Sequence, residues 1–166
     1  MDLLIVRHAI AARRAAQRWP DDRERPLTPA GAQRAREAAR GLKRIADPPA
    51  LLLTSPLRRA RQTAAILSAC AGWPAALECA ALAPEASPEA ALTALEARPQ
   101  DRIAVIGHQP HLGQLIARCL PGALDPQGIE LKKLGVALLS FEGRARPGGA
   151  RLRWLLAPMA LRAIRR

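Results

Sequence analysis

The sequence predicts a three-layer α/β/α sandwich with a mostly parallel central sheet. Short unbroken apolar runs recur along the chain, and such runs are typical of strands buried on both faces. The early runs are followed by a polar turn and then by a segment with helical signals. Strands that alternate with helices favour right-handed crossovers and helices on both faces of the sheet. We expect the 166 residues to form one domain over 1–166.

The N-terminal part predicts a strand, a long loop and a helix. Leu3–Val6 is the first apolar run. The stretch Arg13–Pro26 has many Arg, Asp and Pro residues and no apolar period, so we expect a loop, with one short helix at its start. Thr28 can cap free amides and Pro29 is tolerated in a first turn, which predicts a helix from here to about Ile45.

A second strand and helix follow. Leu51–Leu53 predicts the strand, and Ser55-Pro56 repeats the signal of a cap followed by a proline. We therefore expect Ser55 to cap a helix that runs to about Ala69. After Trp73-Pro74 the apolar pattern weakens.

The second half continues the alternation. Ser87-Pro88 begins an amphipathic helix, and Ile103–Ile106 is the clearest central strand. A helix is predicted from Pro110 to about Cys119. Two later strands are predicted with a turn at 146–149 between them. They are Val136–Phe141 and Leu152–Leu156.

The charge pattern predicts attraction to anions. The net charge is +12, and only three of the 26 basic residues are lysines. Arginine forms forked contacts with phosphate and carboxylate, and such a field concentrates phosphoproteins, phosphorylated metabolites or nucleic acid. The alternative is that these arginines form solvated helix faces.

The three cysteines, Cys70, Cys79 and Cys119, are unclustered, which favours a reducing cytosol over a disulfide framework. The N-terminal apolar run is too short for a signal peptide, and no stretch reaches bilayer length. We therefore expect a cytoplasmic protein with no membrane partner.

Four residues predict the chemistry of one site. Arg7 and His8 follow the first strand, Arg59 lies in the first turn of the next helix, and His108 follows a central strand. The carboxyl ends of parallel strands meet at one edge of a sheet, so we expect these side chains to converge. Guanidinium groups match phosphate oxygens and an imidazole can act as the nucleophile, which indicates phosphoryl transfer.

Several motifs resemble the histidine phosphatase, or phosphoglycerate mutase-like, superfamily. Arg7-His8-Ala9 resembles the Arg-His-Gly signature of the family, and the segment Ser55–Thr63 resembles its second motif. Gly107-His108-Gln109-Pro110 resembles the third motif, and Arg25–Gly31 resembles the opening of the first long helix of the family. The resemblance extends over almost the whole chain and implies a phosphoglycerate mutase-like fold.

The resemblance also implies roles for individual residues. His8 would accept the phosphoryl group, Arg7, Arg59 and His108 would clamp its oxygens, and Gln109 is a further candidate for binding substrate. Neighbouring cations should depress the pKa of His8 and keep its attacking nitrogen unprotonated. No metal or organic cofactor is expected.

Two departures from the family pattern bear on the substrate. Ala9 replaces the usual glycine, for which we expect a modest effect. The acidic proton donor of many members has no clear counterpart, because Glu85 is nearby but off the expected position. Since imidazole leaves more readily than an alcohol, the chain resembles the small SixA-type phosphohistidine phosphatases more than the mutases, and the predicted substrate is a phosphohistidine on a signalling protein.

The sequence is also compatible with alternative functions. The enzyme could instead hydrolyse a sugar phosphate, with Glu85 or a water as the acid, or the fold could be a non-catalytic basic module that binds acidic protein or nucleic acid. Nucleic acid is not expected, because the sequence has no groove-reading motif. His108 and His111, with His8, have a spacing that suggests zinc, but no nearby carboxylate or thiolate supports a metal site. The sequence predicts no particular oligomeric state.

Overall fold

The computed structural model describes residues 1–122, 125 and 128–164, and within them six strands form a sheet covered by five α-helices. The strands are β1 (Asp2–Arg7), β2 (Leu51–Thr54), β3 (Ala76–Glu78), β4 (Arg102–Gly107), β5 (Val136–Phe141) and β6 (Ala150–Leu156). The helices are α1 (Pro29–Leu42), α2 (Arg58–Ala71), α3 (Pro88–Glu96), α4 (His111–Cys119) and α5 (Pro158–Ala163).

The strand order β3-β2-β4-β1-β5-β6 makes the sheet mostly parallel, as predicted. The strands β3, β2, β4 and β1 pair in parallel, whereas β5 pairs antiparallel with both β1 and β6. Arg7 lies opposite Gly107 and Thr54 lies opposite Ile106. The carboxyl ends of β1, β4 and β2 therefore reach the same edge of the sheet.

Alternate residues of the central strands supply the cores on the two faces of the sheet. Leu3 and Ile5 of β1 belong to one apolar cluster with α3 and α4, and Leu4 and Val6 belong to a second cluster with α1, α2 and α5. Because neighbouring side chains of a strand point to opposite faces, helices cover both sides. This arrangement confirms the three-layer sandwich. None of the helices in the described part of the chain has the length and apolar character needed to cross a bilayer.

Two of the three predicted helix caps are confirmed. The hydroxyl of Thr28 accepts from the amide of Gly31, and that of Ser87 accepts from the amide of Ala90. The prediction for Ser55 is wrong, because α2 begins three residues later and Leu57 is its cap residue. The Ser55 hydroxyl instead lies 2.8 Å from Nε2 of His108.

The sequence also misplaced or missed some short elements. The loop 13–26 has its single 3-10 turn at Asp22–Glu24, near its end rather than at its start. The strand β3 and the helix α5 were not predicted. Both are too short, at 3 and 6 residues, to carry a clear apolar period.

Helix α5 packs against α1 at a glycine. A Cβ atom at Gly41 would overlap the carbonyl oxygen of Leu161, so the two helices approach more closely than any side chain allows. Gly41 is buried inside α1, where glycine otherwise disfavours a helix. Close packing is therefore the physical reason for this glycine.

We expect Gly41→Ala to lower the free energy of unfolding by about 1–3 kcal/mol, because overpacking outweighs the roughly 1 kcal/mol gain in helix propensity. Urea denaturation measures the change. Arg36→Ala, at an exposed position of α1, is the control and should change stability little. A stabilised Gly41→Ala protein would show that α5 does not pack here.

Candidate active site

The carboxyl ends of three neighbouring strands bring the predicted histidines together. The amide of His8 donates to the carbonyl of Gly107 at 3.0 Å, and the amide of Ser55 donates to the carbonyl of Ile106 at 2.9 Å. The ring centroids of His8 and His108 lie 5.0 Å apart. The structure thus places His8 beside His108, as the sequence predicts, and adds Ser55 to the group.

The imidazole of His8 is held as a neutral base. Its Nδ1 lies 2.7 Å from the carbonyl oxygen of Ala9, and a carbonyl only accepts, so Nδ1 carries the proton and Nε2 keeps its lone pair. Burial is the largest cause that lowers the pKa of His8 to about 3, and Arg59, Arg7 and Arg25 lower it further. The predicted direction is right, but burial contributes more than the cations. His8 therefore has a free nucleophilic nitrogen at neutral pH.

In Arg7 and in Arg59, the terminal nitrogens of the guanidinium group bind to other protein groups. Nη1 of Arg7 donates to the carbonyl of Leu131 at 2.7 Å. Nη1 of Arg59 donates to the backbone oxygen of Asp22 at 2.9 Å, and its Nη2 lies 3.2 Å from the Asp22 carboxylate. These contacts fix the terminal nitrogens of the two guanidinium groups, whereas the Nε atoms have no partner among the residues that the structure describes.

Asp22 is a residue of the site that sequence reasoning missed. Its carboxylate contacts Arg59, lies 2.7 Å from Nε of Arg25 and 3.6 Å from Nε of Arg14. The hydrogen bond from Arg25 is the largest cause that holds the pKa of Asp22 below its usual range. The only sequence signal is the spacing of three residues between Asp22 and Arg25, which the 3-10 turn brings together.

Arg25 differs from the other arginines of its loop. Arg14 and Arg23 are solvated, with side chains 83% and 55% exposed. The side chain of Arg25 is only 16% exposed and donates to the carbonyl of Ala12 as well as to Asp22. It therefore belongs to the wall of the site.

Three residues that interact with His8 each have a buried polar atom with no protein partner in the described residues. These atoms are Nε of Arg7, Nε of Arg59 and Nδ1 of His108. Buried polar atoms without a partner are rare, since each costs the free energy of its desolvation. Burial lowers the pKa of His108 to about 2, so its ring is neutral. A set of unpaired donors around a neutral base fits an oxyanion.

The second motif connects the separate parts of the site. Thr63 donates to the carbonyl of Arg59 at 2.7 Å and accepts from the amide of Ala9 at 3.0 Å. Gln62 accepts from the amide of Leu27 at 2.8 Å. The helix α2, the turn after β1 and the loop before α1 are thereby joined. The Ala9 methyl is packed in the core beneath this turn, with 1% of its surface exposed.

Two other candidate residues contact different groups. The side chain of Gln109 donates to the carbonyl of Ile129 and accepts from the amide of Gly113, both at 2.9 Å. The carboxylate of Glu85 is 65% exposed and lies 3.8 Å from Arg23. Among the described contacts, neither side chain has a hydrogen bond to Arg7, His8, Arg59 or His108. The substrate-binding role of Gln109 and the proton-donor role of Glu85 stay predictions.

His111 packs apart from the central pair. It is 1% exposed, and its Nε2 lies 3.3 Å from the carbonyl of Ser87. In the part of the chain that the structure describes, no three His, Cys, Asp or Glu residues lie together in a way that could hold a metal ion.

Comparisons with known proteins agree with the motif resemblance. Residues 3–81 match the model of the histidine phosphatase superfamily (branch 1). An uncharacterised protein of Picosynechococcus sp. is 38% identical over 155 residues, covering 92% of this chain and 88% of that protein. Phosphohistidine phosphatase SixA of Escherichia coli is 34% identical over 133 residues, covering 76% of this chain and 78% of that protein. A structure of the protein histidine phosphatase SixA complexed with tungstate has a TM-score of 0.83 and 28% identity, over 97% of this chain and 99% of that one.

The buried histidines make stability depend on pH. His8 and His108 have folded pKa values of about 3 and about 2, below the roughly 6.5 of an unfolded histidine. Between these values the unfolded chain binds more protons, so stability is full above about pH 6.5 and is lost as the pH falls. We expect urea titrations to show a loss of about 1–2 kcal/mol per histidine from pH 7 to pH 5. His8→Gln and His108→Gln should each remove the contribution of one histidine to this loss of stability. If either variant keeps the pH dependence of the wild type, that histidine is not the buried neutral group described here.

The two hydrogen bonds of Thr63 can be separated from its packing. Thr63→Val leaves the buried amide of Ala9 without a partner, and we expect unfolding free energy to fall by about 1–3 kcal/mol. Thr63→Ser keeps the hydroxyl and should cost only about 1 kcal/mol for the lost methyl. Denaturant unfolding of both variants measures the difference. Equal losses would mean that packing alone makes Thr63 important.

Proposed function

This chain belongs to the histidine phosphatase superfamily and is a phosphatase, and on that premise we propose that it removes the phosphoryl group from phosphohistidine on a protein, with His8 as the covalent acceptor. The unpaired buried atoms of Arg7, Arg59 and His108 around the neutral His8 carry this proposal. An Nε–H of each arginine and one ring nitrogen of His108 would bind the phosphoryl oxygens. The positive charge of the two arginines would stabilise the charge that these oxygens carry in the transition state.

The first step transfers the phosphoryl group to His8. Nε2 of His8 attacks phosphorus as the bond from phosphorus to the substrate nitrogen breaks, and the bonding electrons go to that nitrogen. The substrate ring leaves as neutral imidazole when its far nitrogen already carries a proton. The phosphorylated ring of His8 gains a positive charge, which the carbonyl of Ala9 stabilises by accepting from Nδ1–H.

The second step returns the enzyme to its starting state. Water attacks phosphorus, the bond between phosphorus and Nε2 breaks, and its electrons return to Nε2. The water proton leaves with the phosphate product or to solvent. His8 is again neutral with its proton on Nδ1, so the cycle requires no change of tautomer.

The acidic groups near the site support phosphohistidine rather than an ester. Asp22 contacts Arg59, but Arg25 and its neighbours keep this carboxylate ionised at neutral pH, so it lacks a proton to donate. Glu85 is exposed and pairs with Arg23. An alkoxide leaving group needs an acid, whereas imidazole does not. The charge of +12 would in addition favour an acidic partner protein.

We expect the protein to release phosphate from a phosphohistidine protein at least 100-fold faster, in kcat/KM, than from a sugar phosphate, since general acid catalysis contributes about 10²–10⁴ to reactions that need it. His8→Ala should abolish release of ³²P label. Rapid quench of the wild type should trap an acid-labile, alkali-stable phosphoryl group on residue 8.

Arg58→Ala is the matched control for Arg59→Ala, because Arg58 is the exposed neighbour on the same helix. Only the Arg59 change should lower kcat/KM, by about 100-fold or more. Full retention of label on the phosphohistidine protein, together with rapid hydrolysis of the sugar phosphate, would favour a metabolite phosphatase. A third outcome would favour a binding module: the wild type shows no turnover, and the labelled protein still binds to the His8→Ala variant in a way that added salt weakens.

A further inference from the structure

The hydroxyl of Ser55 contacts His108 but has no role in the proposed reaction steps. It is completely buried, and its Oγ lies 2.8 Å from Nε2 of His108. The amide of Leu57 approaches the same oxygen at 3.4 Å, which uses one of its lone pairs. Within the described residues, Nε2 of His108 is the acceptor in reach of the Ser55 hydroxyl proton.

The neutral state of His108 makes the direction of this hydrogen bond important. A neutral imidazole carries one N–H, so only one of its two nitrogens can donate. Nδ1 has no partner in the described part of the chain, and the centroid of the ring lies 5.0 Å from that of His8. The nitrogen on which the proton sits therefore decides whether His108 presents a donor or a lone pair to a phosphoryl oxygen.

The two possible tautomers leave different numbers of groups unpaired. If Nε2 carried the proton and donated to Ser55, the hydroxyl proton would lack an acceptor and the Nδ1 lone pair would lack a donor. If Ser55 donates to Nε2, only the Nδ1–H is unpaired, and an oxyanion satisfies it. Because unpaired buried groups are costly, the second arrangement is favoured, the more so when an anion binds.

We propose that Ser55 is a positioning residue that fixes the proton of His108 on Nδ1 and so makes this histidine a hydrogen-bond donor to the transferred phosphoryl group. Ser55 touches neither the phosphoryl group nor His8 in this arrangement and acts through His108. This role rests on the proposed function, because that function identifies the phosphoryl group as the group to which His108 donates. The hydrogen bond itself is a property of the free protein.

The variant Ser55→Ala tests the proposal, and Ser68→Ala is the control. Ser68 is partly buried, and its Oγ lies 2.8 Å from the carbonyl oxygen of Pro74 and 3.1 Å from that of Ala64, so its single proton is shared between these two acceptors, away from the site. The first readout is the two-bond ¹⁵N–¹H correlation spectrum of the histidine rings, with His108 assigned by its loss in His108→Gln. We expect Nδ1–H in the wild type and in Ser68→Ala, and a population of Nε2–H in Ser55→Ala.

The second readout is binding of tungstate, a tetrahedral oxyanion that can stand in for phosphate. We expect Ser55→Ala to weaken tungstate binding. It should also lower kcat by about 10- to 100-fold, because the largest effect is the loss of one oxyanion donor, and it should change KM less. Ser68→Ala should match the wild type in both.

The outcomes separate this role from the proposed reaction. An Nε2–H tautomer in the wild type, or a tautomer that Ser55→Ala leaves unchanged, overturns the role of Ser55 even if the enzyme is active. An Nδ1–H tautomer that depends on Ser55 supports the role even if no phosphohistidine substrate is hydrolysed. If Ser55→Ala fails to fold, Ser55→Thr keeps a hydroxyl donor and must retain the Nδ1–H signal, and an Nε2–H signal there overturns the role.

Discussion

The alignment of the carboxyl ends of β1, β2 and β4 is the constraint on which the site depends. Each strand is an apolar run buried on both faces, so its polar continuation can only emerge at this edge of the sheet. The register between β1 and β4 carries the backbone of His8 to that of Gly107, and β2 carries Ser55 to the same level. The strand register places the two histidines at this edge, and their burial keeps both rings neutral.

The nine residues from Ser55 to Thr63 hold the site together through contacts with distant segments. Ser55 contacts His108, Gln62 contacts the loop before α1, and Thr63 contacts the turn after β1. Arg59 lies between them and is fixed by Asp22. The polar side chains that this motif buries thus have partners outside it, while its exposed arginines, Arg58 and Arg61, contact Glu24 and Glu78 at the surface. One short segment can therefore orient the nucleophile, the clamp and the loop together.

Local signals in the sequence predicted most of the fold, and long-range contacts explain what it missed. Thr28 and Ser87 cap helices because a cap needs only amides two or three residues away. Ser55 has the same local signal but bonds to His108, 53 residues distant in the chain. The sequence predicted that His8 and His108 lie together, because the carboxyl ends of parallel strands meet at one edge of a sheet. Asp22 was missed, because its spacing of three residues to Arg25 is too weak a signal in an aperiodic loop to show which carboxylate turns towards the site.

The two edges of the sheet also have a consequence for the behaviour of the protein in concentrated solution. Open strand edges can pair with another molecule, and proteins limit this with short strands or charged side chains. The edge strand β3 is only 3 residues long, and the other edge, β6, exposes Arg151 and Arg153. Two β6 edges would bring like charges face to face, so the architecture resists aggregation through strand addition.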